Sequence, residues 1–233
     1  LAGGVAGAFT VATQGLAVAV IGVSLFTVGV VAGQTISGLV LDRAGYGPAG
    51  VVAITVPRLI GGLLALIAVG VSLQGGVLEQ VPWWMLVMPV IAGVGIAWQQ
   101  ATNGRLRQRV GTPLTATLVN FIGGTTMLVI AAAVHVALVG APAAFPVEPW
   151  LYLGGVIGVT YIFMSAALVV HTGVLLLGLG TVAGQLVTAF ALDAVWPAAA
   201  APGWTTELLM VVIAGAGVVI AAAPGARRGR PAR

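Results

Sequence analysis

The sequence predicts an all-α fold: a polytopic helical membrane protein built as an inverted repeat, with eight transmembrane helices in its 233 residues. Three observations predict it. Hydrophobic residues make up 60 % of the chain and charged residues 6 %, with a mean hydropathy of +1.14. A soluble domain carries roughly a quarter charged residues. Uncharged runs cover 1–41, 59–78, 80–104, 110–147, 149–192 and 208–226. About 20 apolar residues cross the ~30 Å hydrocarbon core, so the longer runs hold two spans or a span and a loop. The third observation is a duplication. GVVAGQ at Gly29–Gln34 returns as GTVAGQ at Gly180–Gln185, and under that single offset 15 of the 40 positions from Gly3 to Asp42 are identical. Only helices and closed barrels satisfy the backbone in lipid, and these runs lack the alternation of barrel strands.

The elements follow in order. Spans are expected near 1–20 and 23–42, the first copy of the repeat, with Gly3, Gly4, Gly7, Gly22 and Val23 recurring as Gly154, Gly155, Gly158, Gly173 and Val174. A third lies near 57–75, starting at Pro57, where proline is tolerated because the first helical N–H groups have no partner. A fourth, near 83–104, follows Pro82 and carries Pro89 as a possible kink. The fifth, near 112–138, starts at Pro113. Spans near 149–170, started by Pro149, and 173–193 form the second copy. The last covers 205–223. The predicted organisation is three helices of a first unit (1–78), a complete five-helix second unit (79–224) and a basic tail (225–233). The second unit has two helices without counterparts in the first, so the complete protein is expected to have ten.

Charge sets the orientation. All nine basic residues are arginine, in three groups: Arg43 and Arg58; Arg105, Arg107 and Arg109; and Arg227, Arg228, Arg230 and Arg233. Counting through eight spans places the three groups on one face. Glu79, Glu148, Asp193 and Glu207 fall on the other, with Asp42 alone among the arginines. The positive-inside rule makes the arginine face cytoplasmic, and Trp83, Trp84, Trp150, Trp196 and Trp204 form an aromatic belt at the outer face. The helix holding Gln34 then ends inside at Asp42, and the helix holding Gln185 ends outside at Asp193. The copies face opposite ways, as the repeats of many secondary transporters do.

Polar residues inside a span are costly and tend to face the bundle interior or a water-filled cavity. Gln99, Gln100 and Asn103 share one helix, with 99 and 103 on one face. Their amides offer donors and acceptors without charge, suited to a zwitterion, a sugar or an amine. Helix-to-helix hydrogen bonding, or headgroup water at the cytoplasmic end, is the competing reading. Gln34 and Gln185 are duplication mates expected to meet across the pseudo-two-fold. Each follows a small-xxx-small glycine pair, so close helix packing competes with cavity lining. Asn120 and Tyr161 are single polar residues for which interhelical bonding is favoured. His171 is the one ionisable group in 149–192 and could titrate near neutrality; it and His135 read more simply as interfacial. No cysteine is present, which removes disulfides and thiolate metal sites. Gly178-Leu179-Gly180 fails as a dinucleotide loop because its next glycine falls too late, at 184, and no strand precedes it. No catalytic set, metal site or cofactor is expected, and nucleic-acid binding is not. The arginine tail fits topology and anionic lipid.

With these residues in hand, the chain resembles the drug/metabolite transporter superfamily, in its YdcZ-type branch of bacterial inner-membrane proteins with five-helix units. The resemblance rests on AWQQATNGRLRQRVGTP (Ala97–Pro113), NFIGG (Asn120–Gly124), LGGVIG (Leu153–Gly158), GTVAGQ (Gly180–Gln185) and the glycine-containing last helix around Gly215–Gly217. It covers the second unit and the last three helices of the first. It implies an inverted-repeat, EamA-like carrier of ten helices in the plasma membrane, moving a small metabolite or drug-like solute. One departure matters: no acid lies mid-span, unlike the small multidrug relatives that use an intramembrane Glu, which weakens carboxylate-based proton coupling. The expected function is a secondary active transporter working by alternating access; a non-transporting membrane scaffold is the alternative. Expected partners are the lipid bilayer and a small-molecule substrate.

The orientation is directly testable in a cysteine-free chain. A cysteine at Gln108 should react with a membrane-impermeant maleimide from the cytoplasmic side, and one at Glu148 from the outside. Labelling of position 148 from the cytoplasm alone overturns both the orientation and the inversion.

Overall fold

The computed structural model describes residues 1–71, 83–142, 144–195 and 204–223. Glu79, Pro82, Trp196 and the tail arginines lie outside the described residues, as do the side chains of Trp83, Trp84 and Asp193. All regular structure among the described residues is helical: α1 (Ala2–Arg43), α2 (Val56–Gly70), α3 (Trp83–Val110), α4 (Pro113–Val139), a 3₁₀ turn (Pro149–Tyr152), α5 (Leu153–Val195) and α6 (Trp204–Ala222). Among the described residues, three helical segments are long and apolar enough to cross a membrane: Pro113–Val139, Pro149–Thr188 and Trp204–Ala222.

The starts obey local chemistry. Thr112 caps α4, its hydroxyl accepting from the Leu114 N–H at 3.2 Å, with Pro113 in the first turn. Such a cap satisfies one of the helix's otherwise orphaned donors. Pro57 likewise sits in the first turn of α2, after Thr55. The segment expected to begin as a helix at Pro149 begins as the 3₁₀ turn and becomes α-helical only at Leu153.

Two of the long helices are not straight. A 42-residue helix would run roughly 60 Å if straight. Yet a Cβ at Gly3 would lie 2.7 Å from Asn103 Oδ1, while the hydroxyls of Tyr46 and Thr102 lie 3.4 Å apart. Between those points Thr10 reaches the Ala92 carbonyl and Gly29 packs on Pro89. The chain therefore runs along α3 from its C-terminal end towards its start and back again. Residues 3–10 and 29–43 of α1 are antiparallel limbs. In α5 the reversal has a visible cause: Gly173 has φ 75° and ψ 175°, a conformation that L side chains rarely adopt. The residues before and after it form separate limbs.

Close packing depends on absent side chains. A Cβ at Gly33 would collide with the Val90 carbonyl oxygen, and one at Gly93 with the Val30 carbonyl oxygen, so the second limb of α1 and α3 meet backbone to backbone. Pro89 is fully buried at the same contact. Gly61 and Gly217 do the same for α2 and α6. Around these contacts Val31, Ala65, Val69, Leu175, Leu179, Val182 and Ala221 join four helices into one apolar core.

A buried charge ties the limbs together at one end. The Asp42 carboxylate, 1 % exposed, accepts from the Val174 N–H at 2.7 Å and the Leu175 N–H at 3.1 Å. It is also ion-paired with Arg58, itself buried. It thus caps the second limb of α5 from 132 residues away. A Cβ at Gly173 would sit 2.9 Å from Asp42 Oδ2, so the glycine is required both for its φ and for room.

Removing one partner of a buried ion pair costs about 3–5 kcal/mol. Asp42→Ala should reach that range because it strands Arg58 and two backbone donors together. Arg58→Leu should cost less, since the two N–H groups still hold the carboxylate. The double variant should cost less than the sum, as contacting residues do. Unfolding of the detergent-purified chain measures all three; additive losses would separate Arg58 from the Asp42 site.

Candidate functional site

A cavity of about 450 Å³ opens between the first limb of α1, α3, α4 and both limbs of α5. Its inner wall is an amide cluster. Asn120 Oδ1 accepts from Gln99 Nε2 at 3.1 Å and from Asn103 Nδ2 at 2.9 Å, with all three residues buried. One acceptor thus orients two amides from neighbouring turns of α3, which leaves the Asn120 amino group for other partners. Glycines make room: a Cβ at Gly7 would collide with Gln99 Nε2, and one at Gly4 with the Asn120 carbonyl oxygen. The first limb of α1 therefore lies flat against the amides.

The opposite wall comes from α5. Tyr161 and Gln185, on its two limbs, line the cavity, and both are exposed. The Tyr161 hydroxyl accepts from Gln100 Nε2 at 3.1 Å. The Thr181 hydroxyl, on the other limb of α5, donates to the Gly178 carbonyl at 2.7 Å. Thr10, Gln14 and Thr125 add further polar groups, and Ile96, Phe121, Leu128 and Ile162 supply apolar surface. Among the described residues that line the cavity, none is charged.

Of the residues singled out from the sequence, Gln99, Asn120, Tyr161 and Gln185 meet here. Asn103 and Gln100 stand behind them, holding Asn120 and Tyr161 respectively. Gln99 and Gln100 separate because adjacent residues of a helix point about 100° apart, so neighbours in sequence serve different walls. Asn120 and Tyr161 are both interhelical bonders and wall residues, so the two readings of them are compatible.

Gln34 is different. It is buried against Gly178, where a Cβ would lie 2.9 Å from Gln34 Nε2, and that nitrogen has no hydrogen-bond partner. No hydrogen bond joins Gln34 to its duplication mate Gln185. The reason is local: Gly178 admits the Gln34 amide into the α1–α5 contact, two helical turns, roughly 10 Å, from Gln185 along the same limb. His171 is exposed beside the Gly173 reversal and is not among the lining residues; His135 is exposed on the C-terminal half of α4.

Sequence reasoning missed Thr10, Gln14 and Thr125. The duplication held a signal for two of them, because Thr10 and Gln14 align with Tyr161 and Ser165 under the offset that aligns Gln34 with Gln185. It also missed what Asp42 does, although the match of Asp42 with Asp193 was visible.

A family model described as "Putative inner membrane exporter, YdcZ" matches residues 1–73 and 83–221. No curated protein and no solved structure matches the chain.

The amide cluster predicts an order of stability effects. A hydrogen bond between helices in a membrane averages about 0.6 kcal/mol, with a maximum near 1.7. Gln99→Leu removes one such bond and should cost about that average. Asn120→Leu strands two buried donors and should cost more. Equal losses in detergent unfolding would show that the Asn120 carbonyl does not hold both partners.

Proposed function

The chain belongs to the YdcZ-type branch of the drug/metabolite transporter superfamily, inner-membrane exporters, and from that premise we propose that it is a secondary carrier working by alternating access. The observation that supports this most directly is where the cavity lies. Gly4, Gly7, Thr10 and Gln14 come from the first copy of the repeat, and Gln99, Asn120, Tyr161 and Gln185 come from the second unit. Substrate sites of inverted-repeat transporters lie at the repeat interface near mid-membrane, where rocking one repeat against the other exposes a fixed site to each side in turn.

The count of spans in this reading is eight. The two limbs of α1 and the two limbs of α5 each cross the membrane, and α2, α3, α4 and α6 cross once. RLRQR and the tail face the cytoplasm. Gln99, Asn120, Tyr161 and Gln185 contact the solute, while Gln100 and Asn103 position them. Transport needs binding and a change of shape, with no covalent step.

The glycines support a larger assembly of helices around this core. Gly3, Gly4, Gly29 and Gly33 of the first copy all pack tightly on α3 or α4. Their mates Gly154, Gly155, Gly180 and Gly184 have nothing among the described residues within 4 Å of a Cβ position. In an inverted repeat those bare positions are where a pair of helices equivalent to α3 and α4 would sit, which gives the complete carrier ten.

A strain comparison tests the reading. An untargeted metabolite survey should find at least one small solute accumulated in a deletion strain and restored by the wild-type protein. Gln185→Leu should fail to restore it while reaching normal membrane abundance, because that side chain is exposed to the cavity and carries no interhelical bond needed for folding. Full restoration by Gln185→Leu, together with Gln99→Leu, would return both glutamines to packing. No solute difference between any of the strains would remove the carrier reading itself.

A further inference from the structure

We propose that the cavity takes a net-uncharged solute that presents an amide- or hydroxyl-type hydrogen-bonding edge and a flat apolar face, and that it rejects ionised molecules of the same shape. This deepens the carrier reading and rests on it for the cavity being the transport site, though not for what the cavity binds.

Its polar groups are the amides of Gln14, Gln99, Asn120 and Gln185 and the hydroxyls of Thr10 and Tyr161. Each is neutral, and each amide offers a donor and an acceptor on one planar group. An ionised solute entering such a site loses its water and meets no opposite charge, and an unpaired charge in a low-dielectric site is far costlier than an unpaired amide. Amide dipoles do not replace a counter-ion.

Four charged side chains among the described residues have partners of their own. Asp42 and Arg58 neutralise each other, and the same Asp42 occupies the positive end of the second α5 limb. Arg107 donates to the Ala167 carbonyl at 2.8 Å, and Arg105 to the Tyr46 carbonyl at 3.4 Å with its guanidinium over the Tyr46 ring. One partial charge remains at the rim, the start of α5 at Gly154, and Glu148 lies on the turn just before it. Phe121, Ile96 and Ile162 give the apolar face. A site with this composition rewards a solute that is half flat and apolar and half amide-like, and penalises net charge of either sign.

Three molecules of one shape separate the possibilities: benzamide is neutral, benzamidine is a cation at neutral pH, and benzoate is an anion. Thr125 lines the cavity and is exposed, so a Thr125→Cys variant of the full chain places the only thiol of the protein at its mouth. The rate of its modification by N-ethylmaleimide, in lipid nanodiscs, then reads occupancy. Benzamide at saturation should slow modification at least about fivefold, as occupancy of most sites requires. Benzamidine and benzoate should bind at least about tenfold more weakly. Adding Gln99→Leu should weaken protection by benzamide, read against that double variant's own rate without ligand.

Uridine and D-ribose serve as neutral, hydroxyl-rich probes in the same assay. Protection by either alongside benzamide supports the proposal. Equal or tighter protection by benzamidine overturns it in favour of a cation site, by benzoate in favour of an anion site at the α5 start. Failure of all the neutral probes overturns it as well. Protection by neutral probes in a protein that moves no solute would sink the carrier reading alone, whereas transport confined to ionised solutes would sink this proposal alone.

Discussion

The Asp42 carboxylate is the constraint on which the arrangement of the limbs depends. It meets three donors from two helices, and two of them are the first free N–H groups of the second α5 limb. A helix that starts inside a bundle leaves its opening N–H groups without partners, and in lipid no water can serve them. The reversal at Gly173 creates that problem, and Asp42 solves it with a charge that Arg58 neutralises. The result is a fixed junction between the second limb of α1, α2 and α5. Because Asp42 and Arg58 belong to the first unit and Val174 and Leu175 to the second, the junction also sets how the two repeats meet on that side.

From the junction outward, glycines decide which surfaces touch. Where α1 meets α3, backbones approach until Gly33 and Gly93 each lie against a carbonyl oxygen. Without hydrophobic driving force between helices in lipid, such close van der Waals contact is a main source of association. The same device leaves space where it is wanted. Gly7 leaves room for the Gln99 amide, while Gly4 brings the first limb of α1 against the Asn120 backbone. Packing and cavity are therefore made by one feature of the sequence, which meets backbone at one glycine and a polar side chain at the next.

Much of this was legible in the chain. Uncharged run lengths mark out the helical stretches, and the repeat pairs the Gly173 reversal of α5 with Gly22, which falls between the two limbs of α1. Four of the seven polar residues chosen as cavity candidates line the cavity. The other three lie off this wall for a reason that helical geometry supplies only after the helices are packed. Gln100 is next to Gln99 and faces Tyr161, Asn103 shares the face of Gln99 but is spent on Asn120, and Gln34 is drawn into the space over Gly178. Thr10 and Thr125 are ordinary in a sequence because threonine can satisfy its own hydroxyl on the preceding turn, as Thr10 does on the Ala6 carbonyl. The cap by Asp42 crosses 132 positions, a pairing that no local pattern carries.

The placement of charge connects the fold to the cavity. The ionised groups among the described residues lie near helix ends and reversals, where they pair with each other, with carbonyls or with solvent-facing surface. The interior of the limbs is left to amides, hydroxyls and glycine. That division follows from the cost of an unpaired charge in lipid, which a span of alanine, valine and glycine has no means to offset. It also shapes the cavity, because a wall built from spans inherits their neutrality. Gln99, Asn120 and Gln185 give such a wall direction without charge: each can donate and accept, and the Gln99–Asn120–Asn103 cluster fixes which atom does which. Recognition here depends on the orientation of dipoles, and that orientation is held by the same helix contacts that Gly4 and Gly7 permit.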